Sequence, residues 1–218
     1  MKKKIGTKNW TLLMGILLIT GGLSVFPFGC SSKSSKATPF QIVFCSLYVN
    51  ENAVSEYGAF LQNKMPELII EGKAPVFTPM IMGEVKNDIE AGIINDPMMG
   101  MGGIIKMTTM VSTNEIDLMI SDMENAARQA RGDMFKPLEE VFTDDEISAL
   151  KDRLLSFEIL NVEGYEPTPT GEKTPVCGIN ITGNENMKKI FGDQEVGIFI
   201  LANAKNLELA KDVIRSLL

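Results

Sequence analysis

Histidine is absent from this 218-residue chain. Its absence excludes Ser-His-Asp and Cys-His catalysis and any His-ligated zinc or haem site. Cysteine is scarce, with three residues and no Cys-x-x-Cys, so neither a zinc ribbon nor a thioredoxin-like site is indicated. Basic residues are outnumbered, 21 Lys+Arg against 28 Asp+Glu for a net charge of -7. No nucleic-acid partner is expected of such a chain, since that partner demands a basic face. The run Gly100-Met101-Gly102-Gly103 lacks the Lys-Ser/Thr that completes a P-loop, and no EF-hand spacing occurs. Acidic groups such as Glu139-Glu140 and Asp144-Asp145-Glu146 read as solvated helix starts, where carboxylates complement the dipole. No paired nucleophile and base stands out, so the expectation is not an enzyme, with no cofactor and no metal site.

Long apolar runs are concentrated at the start. Lys2, Lys3, Lys4 and Lys8 precede 24 uncharged residues, 9–32, that include Trp10, Leu12, Ile16, Leu23 and Phe28. About 20 such residues span a bilayer core. Residues 1–29 therefore read as a signal peptide or membrane anchor. Gly29-Cys30-Ser31-Ser32 resembles the end of a bacterial lipoprotein signal, which implies lipidation of Cys30, with Pro27 standing where that pattern has Leu. Residues 30–38 form a polar tether. The excess of lysines before the apolar run keeps the N-terminus inside and places residues 39–218 at the cell membrane on the extracytoplasmic side. Without the four leader lysines the remainder holds 17 basic and 28 acidic residues, a net charge of -11. Cys45 and Cys177 each sit in an apolar run and are either bridged or buried as free thiols.

The 44% apolar content suits one ordinary core after the leader. Strand signals at residues 40–48, 74–82, 116–121, 156–162, 175–182 and 196–203 alternate with helix signals. The expected helices are 51–65, 97–111, 122–131, 144–154, 185–191 and 207–217. Asn50, Asp122 and Thr143 stand as N-caps, and Glu146 completes a capping box with Thr143. Residues 86–91 suggest a short turn or strand, 138–142 a link, and 164–174 a loop. Pro79 suits an edge strand or a bulge. The alternation predicts an α/β fold, a mainly parallel open sheet with helices on both faces and residues 196–201 near its middle.

Three segments carry a family resemblance. They are Asn114-Glu115-Ile116-Asp117-Leu118-Met119-Ile120-Ser121-Asp122, then Gly132-Asp133-Met134-Phe135-Lys136-Pro137-Leu138 after a helix, and the closing residues 203–218 with Ala210-Lys211-Asp212-Val213-Ile214. They resemble the extracellular solute-binding proteins of bacterial ABC transporters. The resemblance implies one lobe of a periplasmic-binding-protein type II fold, a bound solute and a transporter permease or other membrane protein as partner. Members of that family bury their ligand between two lobes, whereas residues 39–218 suffice for one.

In an open parallel sheet ligands collect at the carboxyl ends of strands. Those ends offer Ser46 and Tyr48, Met82 and Gly83, Ser121, Asp122 and Asn125, and residues 182–184. Ser46, Tyr48, Ser121, Asp122 and Asn125 are the expected ligand-binding residues, although Asp122 reads first as an ordinary N-cap. Met80, Met82, Met98, Met99, Met101, Met107 and Met110 suit core filling better than Cu(I) ligation. The alternative function is a surface interaction or assembly protein of the same fold. It would use the Met- and Gly-rich face of residues 98–110 and no small ligand.

Overall fold

The computed structural model describes residues 38–82, 97–161 and 167–218, with backbone alone for 97–101. They lie in the compact unit Ala37–Leu218. The leader, Cys30, most of the tether, Gly83 and the segment 86–91 fall outside the described residues. Among the described residues no helix is long and apolar enough to cross a membrane.

β1 (Gln41–Ser46) is buried at every position, as a strand covered on both faces must be. Its side chains alternate between two cores: Ile42 and Phe44 enter one, Val43 and Cys45 the other. Asn50 caps α1 (Glu51–Lys64), its side-chain oxygen accepting from the Ala53 N–H, and Val54, Tyr57 and Leu61 of α1 close the first core. β2 (Val76–Ile81) returns parallel to β1 at the edge of the sheet, the position that Pro79 tolerates. α2 (Pro97–Ser112) covers the opposite face. An added Cβ at Gly103 would lie 2.3 Å from the Ile81 carbonyl oxygen, so the absent side chain is what lets α2 sit directly on β2. Met107 and Met110 of α2 join Met80, Met82 and Met119 in the second core, which is the core-filling role expected of them.

β3 (Leu118–Asp122) pairs parallel with β1 on its other side. Asp122 then caps α3 (Met123–Ala130). A 3-10 turn at Leu138–Glu140 leads to α4 (Asp144–Ala149), which begins with the expected capping box of Thr143 and Glu146. The chain continues through β4 (Leu154–Leu155), β5 (Glu158–Asn161), β6 (Thr168–Lys173), β7 (Gly178–Asn180), α5 (Glu185–Phe191), β8 (Val196–Ile200) and α6 (Leu207–Leu217).

The main sheet is open, in the order β2-β1-β3-β8-β7-β4. β1, β2, β3 and β7 point one way, while β8 and β4 oppose them. Strand direction is therefore mostly shared, but only the β2-β1-β3 part has parallel ladders, and the rest is antiparallel. The cause lies in α5. A helix between two strands reads as a crossover, but α5 has seven residues, about 10 Å. It stays at the edge where β7 ends, and its Ile190 carbonyl accepts from the N–H of Asn50, the cap that follows β1. The chain therefore re-enters the sheet antiparallel as β8. β8 stands fourth of six strands, near the middle as expected, and all its residues are buried.

Two further expectations change. The helix anticipated over 144–154 ends at Ala149, and a 3-10 turn (Lys151–Arg153) then delivers the chain to β4. The anticipated loop at 164–174 contains β6, which pairs with β5 in a separate ribbon. Every residue of β6 is exposed, so no alternation marks it in the sequence.

The amino edge of the sheet is closed by one carboxylate. Asp117 is 3% exposed and accepts from the backbone N–H groups of Gln41, Lys205 and Asn206 at 2.9–3.1 Å. Both its oxygens also accept from the Asn206 side-chain amide. One buried anion thus ties the entry to β1, the entry to β3 and the approach to α6.

Candidate functional site

The β2-β1-β3 order creates a topological switch point. The chain leaves β1 for β2 on one side and arrives at β3 on the other. The crevice at the carboxyl ends of β1 and β3 is where such sheets place ligands. The structure brings all five predicted residues to this edge, in two linked groups.

Asp122, Asn125 and Ser121 form the first group. Asp122 Oδ1 accepts from the Asn125 N–H at 2.8 Å, which confirms its role as N-cap. Asn125 Nδ2 donates to Asp122 Oδ2 at 2.9 Å and to the Met82 carbonyl at 3.3 Å. Ser121 stands in register with Cys45 on one side and Gly197 on the other. Ser121 is wholly buried and Asn125 is 3% exposed, yet Asn125 Oδ1 has no hydrogen-bond partner and Ser121 Oγ meets only the weakly bonding Cys45 thiol.

Ser46 and Tyr48 form the second group. The buried Ser46 hydroxyl donates to Gln194 Oε1 at 2.5 Å. Gln194 Nε2 in turn donates to the carbonyls of Phe191 and Tyr48. Ser46 is therefore committed to holding the loop after β1, and Tyr48, 57% exposed, is the one predicted residue that meets solvent. The Met82 backbone joins the groups, its N–H donating to the Ser46 carbonyl and its carbonyl accepting from Asn125.

Neither cysteine offers a nucleophile. Burial, reinforced by the negative charge of Asp122, pushes the Cys45 thiol up to about 12. Burial likewise pushes Cys177 up to about 11. Both are free thiols, and β3 and β8 separate their strands, roughly 14 Å at normal strand spacing, which a disulfide cannot bridge. Among the described residues no three His, Cys, Asp or Glu side chains converge as a metal site.

Two surface cavities lie away from the switch point. One of about 450 Å³ is lined by Asp152, Arg153, Asn180 and Asn184 among others. It opens where β7 ends, so the strand-end rule locates Gly183 and Asn184. That rule misses Arg153, which the sequence places inside a helix. The second, about 240 Å³, is lined by Phe135, Lys136 and Cys177 among others. None of the five predicted residues lines either cavity.

Compared with protein-family models, with curated proteins and with solved structures, the chain has no match. Its functional reading therefore rests on its own residues and geometry.

Proposed function

We propose that the chain is a membrane-tethered, extracytoplasmic binding module resembling one lobe of a periplasmic-binding-protein type II fold. The N-terminal segment holds it at the membrane, with Cys30 as the lipidated residue, and a permease or other membrane protein is its partner. The β2-β1-β3 half of the sheet, helices on both faces and the acidic body after a basic, apolar leader all support this reading.

The observation that carries it is the unmet hydrogen-bonding capacity at the switch point, at Asn125 Oδ1 above all and at Ser121 Oγ, which has only a thiol beside it. A buried acceptor without a donor costs about 1–3 kcal/mol, and such atoms are rare in finished cores. Asn125 Oδ1 and Ser121 Oγ are matched by a small ligand that brings N–H or O–H donors to this edge, with the exposed Tyr48 ring beside the entrance. Because Ser121 and Asn125 are covered, entry is coupled to displacement of the residues above them.

Thermal shift of the full-length protein against sugars, amino acids and short peptides tests the proposal. The expected result is a rise in Tm with one class that Asn125→Ala abolishes. A buried water that satisfies both atoms is the rival outcome. It would leave the Tm unmoved by every class and reject small-ligand binding. Intact mass of the membrane form checks the tether, since an acylated N-terminus at Cys30 and an intact start at Met1 differ by the whole leader.

A further inference from the structure

We infer that the outward face of α2 lies on the bilayer surface, making α2 a second, interfacial membrane contact beside the N-terminal tether. This rests on the membrane-tethered reading above.

The face is unlike the rest of the domain. Ile104 and Ile105 are 47% and 61% exposed on a helix with no acidic residue, in a chain whose body carries net -11. Thr108, Thr109 and Ser112 share this side of the helix, since successive residues advance by 100°. Each hydroxyl donates back to a carbonyl four residues earlier, at 2.7–2.9 Å: Thr108 to Ile104, Thr109 to Ile105, Ser112 to Thr108. With their donors already engaged, these side chains lose little when water is withdrawn. Lys106, also exposed, flanks the isoleucines and supplies the one charge, of the sign that anionic headgroups attract.

Chain length selects the bilayer as occupant. Nine residues, ten steps of the chain, separate Cys30 from Phe40, at most about 35 Å when fully extended and nearer 17 Å when relaxed. A domain of this size is about 40 Å across, so it remains beside the surface that anchors it. The chain enters β1 at the amino edge of the sheet. α2 runs toward that same edge, because the chain passes from its end at Ser112 to the start of β3 at Leu118. Ile105 stands seven residues before Ser112, about 11 Å along the helix. Two isoleucines cannot hold a free domain on lipid. The tether makes the contact intramolecular, at an effective concentration in the millimolar range, where a weak interfacial helix suffices. Gly103, just before the isoleucines, packs on Ile81 at the carboxyl end of β2, so the contact begins beside the Ser46–Asn125 edge and runs from there toward the tether.

The test uses the full chain in vesicles of phosphatidylcholine and phosphatidylglycerol with brominated acyl chains. Trp10 is the chain's single Trp. In the Trp10→Phe background, Ile105→Trp is compared with Phe60→Trp, a residue 51% exposed on α1. The expected result is at least twofold stronger quenching at 105 than at 60, lost when Ile104→Glu is added. Equal quenching at both positions overturns the inference. So does a concentration-dependent dimer that shields position 105 from bromine, which would assign the face to a second copy. Flotation with vesicles reports on the tether separately. A chain that does not float refutes the membrane reading and this inference together. A chain that floats with position 105 unquenched refutes the inference alone. Far-UV circular dichroism confirms that each variant is folded.

Discussion

Both ends of β3 carry a buried polar cluster, and the two are finished differently. At the amino end, Asp117 satisfies both oxygens with three backbone N–H groups and one side-chain amide. At the carboxyl end, Ser121 and Asn125 are equally buried, yet Asn125 Oδ1 has no partner and Ser121 Oγ has only the Cys45 thiol. A complete cluster closes a fold. An incomplete one holds hydrogen-bonding capacity in reserve, and within this sheet it stands at the switch point. The difference separates a structural residue from a candidate binding residue without reference to any relative.

The largest effect is expected at the complete end. Asp117→Ala strands three backbone donors, that of Gln41 buried and those of Lys205 and Asn206 partly so, and should cost about 3–4 kcal/mol. Asp117→Asn keeps the shape but turns an amide toward donors, and about 2 kcal/mol is expected. Urea denaturation followed by far-UV circular dichroism measures both, since the domain contains no Trp. A loss under 1 kcal/mol for Asp117→Ala would break the comparison.

The other end should respond less and unevenly. Asn125→Ala removes two donated bonds, to Asp122 and Met82, and should cost about 1–2 kcal/mol. Ser121→Ala removes a hydroxyl whose one polar neighbour is the weakly bonding Cys45 thiol and should lie within about 0.5 kcal/mol of the parent. If Ser121→Ala destabilises as strongly as Asp117→Ala, its hydroxyl is structural and the proposed site loses half of its basis.

A third orphan sharpens the distinction. The Tyr57 hydroxyl is also buried without a partner, but on the first-core face, edge-on to Phe44 at 6.1 Å. Burial pushes its pKa up. It has neither a switch point nor a polar neighbour in the aromatic cluster, so its unmet bond is simply a cost. Tyr57→Phe should raise stability by up to about 1 kcal/mol and leave any ligand response unchanged, as denaturation and thermal shift on one sample will show.

How much of this was legible in the sequence follows from what each signal measures. Caps were readable at Asn50, Asp122 and Thr143 because a cap is a local hydrogen bond between neighbours in the chain. Pro79 located an edge because a missing N–H is a property of one residue. The antiparallel half was not readable, because the alternation of strand and helix is the same whether or not α5 is long enough to cross the sheet. β6 was hidden because a ribbon with no buried face leaves no hydrophobic period. At the site, strand-end reasoning picked residues that the fold does bring to one edge. It could not see that Ser46 is consumed by Gln194, 148 residues away, since that bond exists only after folding. Asp117 was passed over as part of a motif for the same reason, with partners at residues 41, 205 and 206.

The smallest effect concerns a complete carboxylate at the surface. Glu146 accepts from the Thr143 backbone N–H at 2.9 Å and from Arg215 of α6, which links α4 to α6. The Thr143 N–H first, and then Arg215, hold its carboxyl down to about 2 from the ordinary 4.5. Because the folded value lies below the unfolded one, the contribution is complete above about pH 4.5. It fades as pH falls through about 2, below which both states are protonated. Glu146→Gln should therefore flatten the stability profile across that window and leave its neutral-pH shape intact. Glu146 is open to water, so the Arg215 part should shrink in 1 M salt while the Thr143 cap persists. Asp117 is shielded from solvent, and the loss from Asp117→Ala should be nearly independent of salt. If both variants respond alike to salt, burial is not what separates these two satisfied carboxylates.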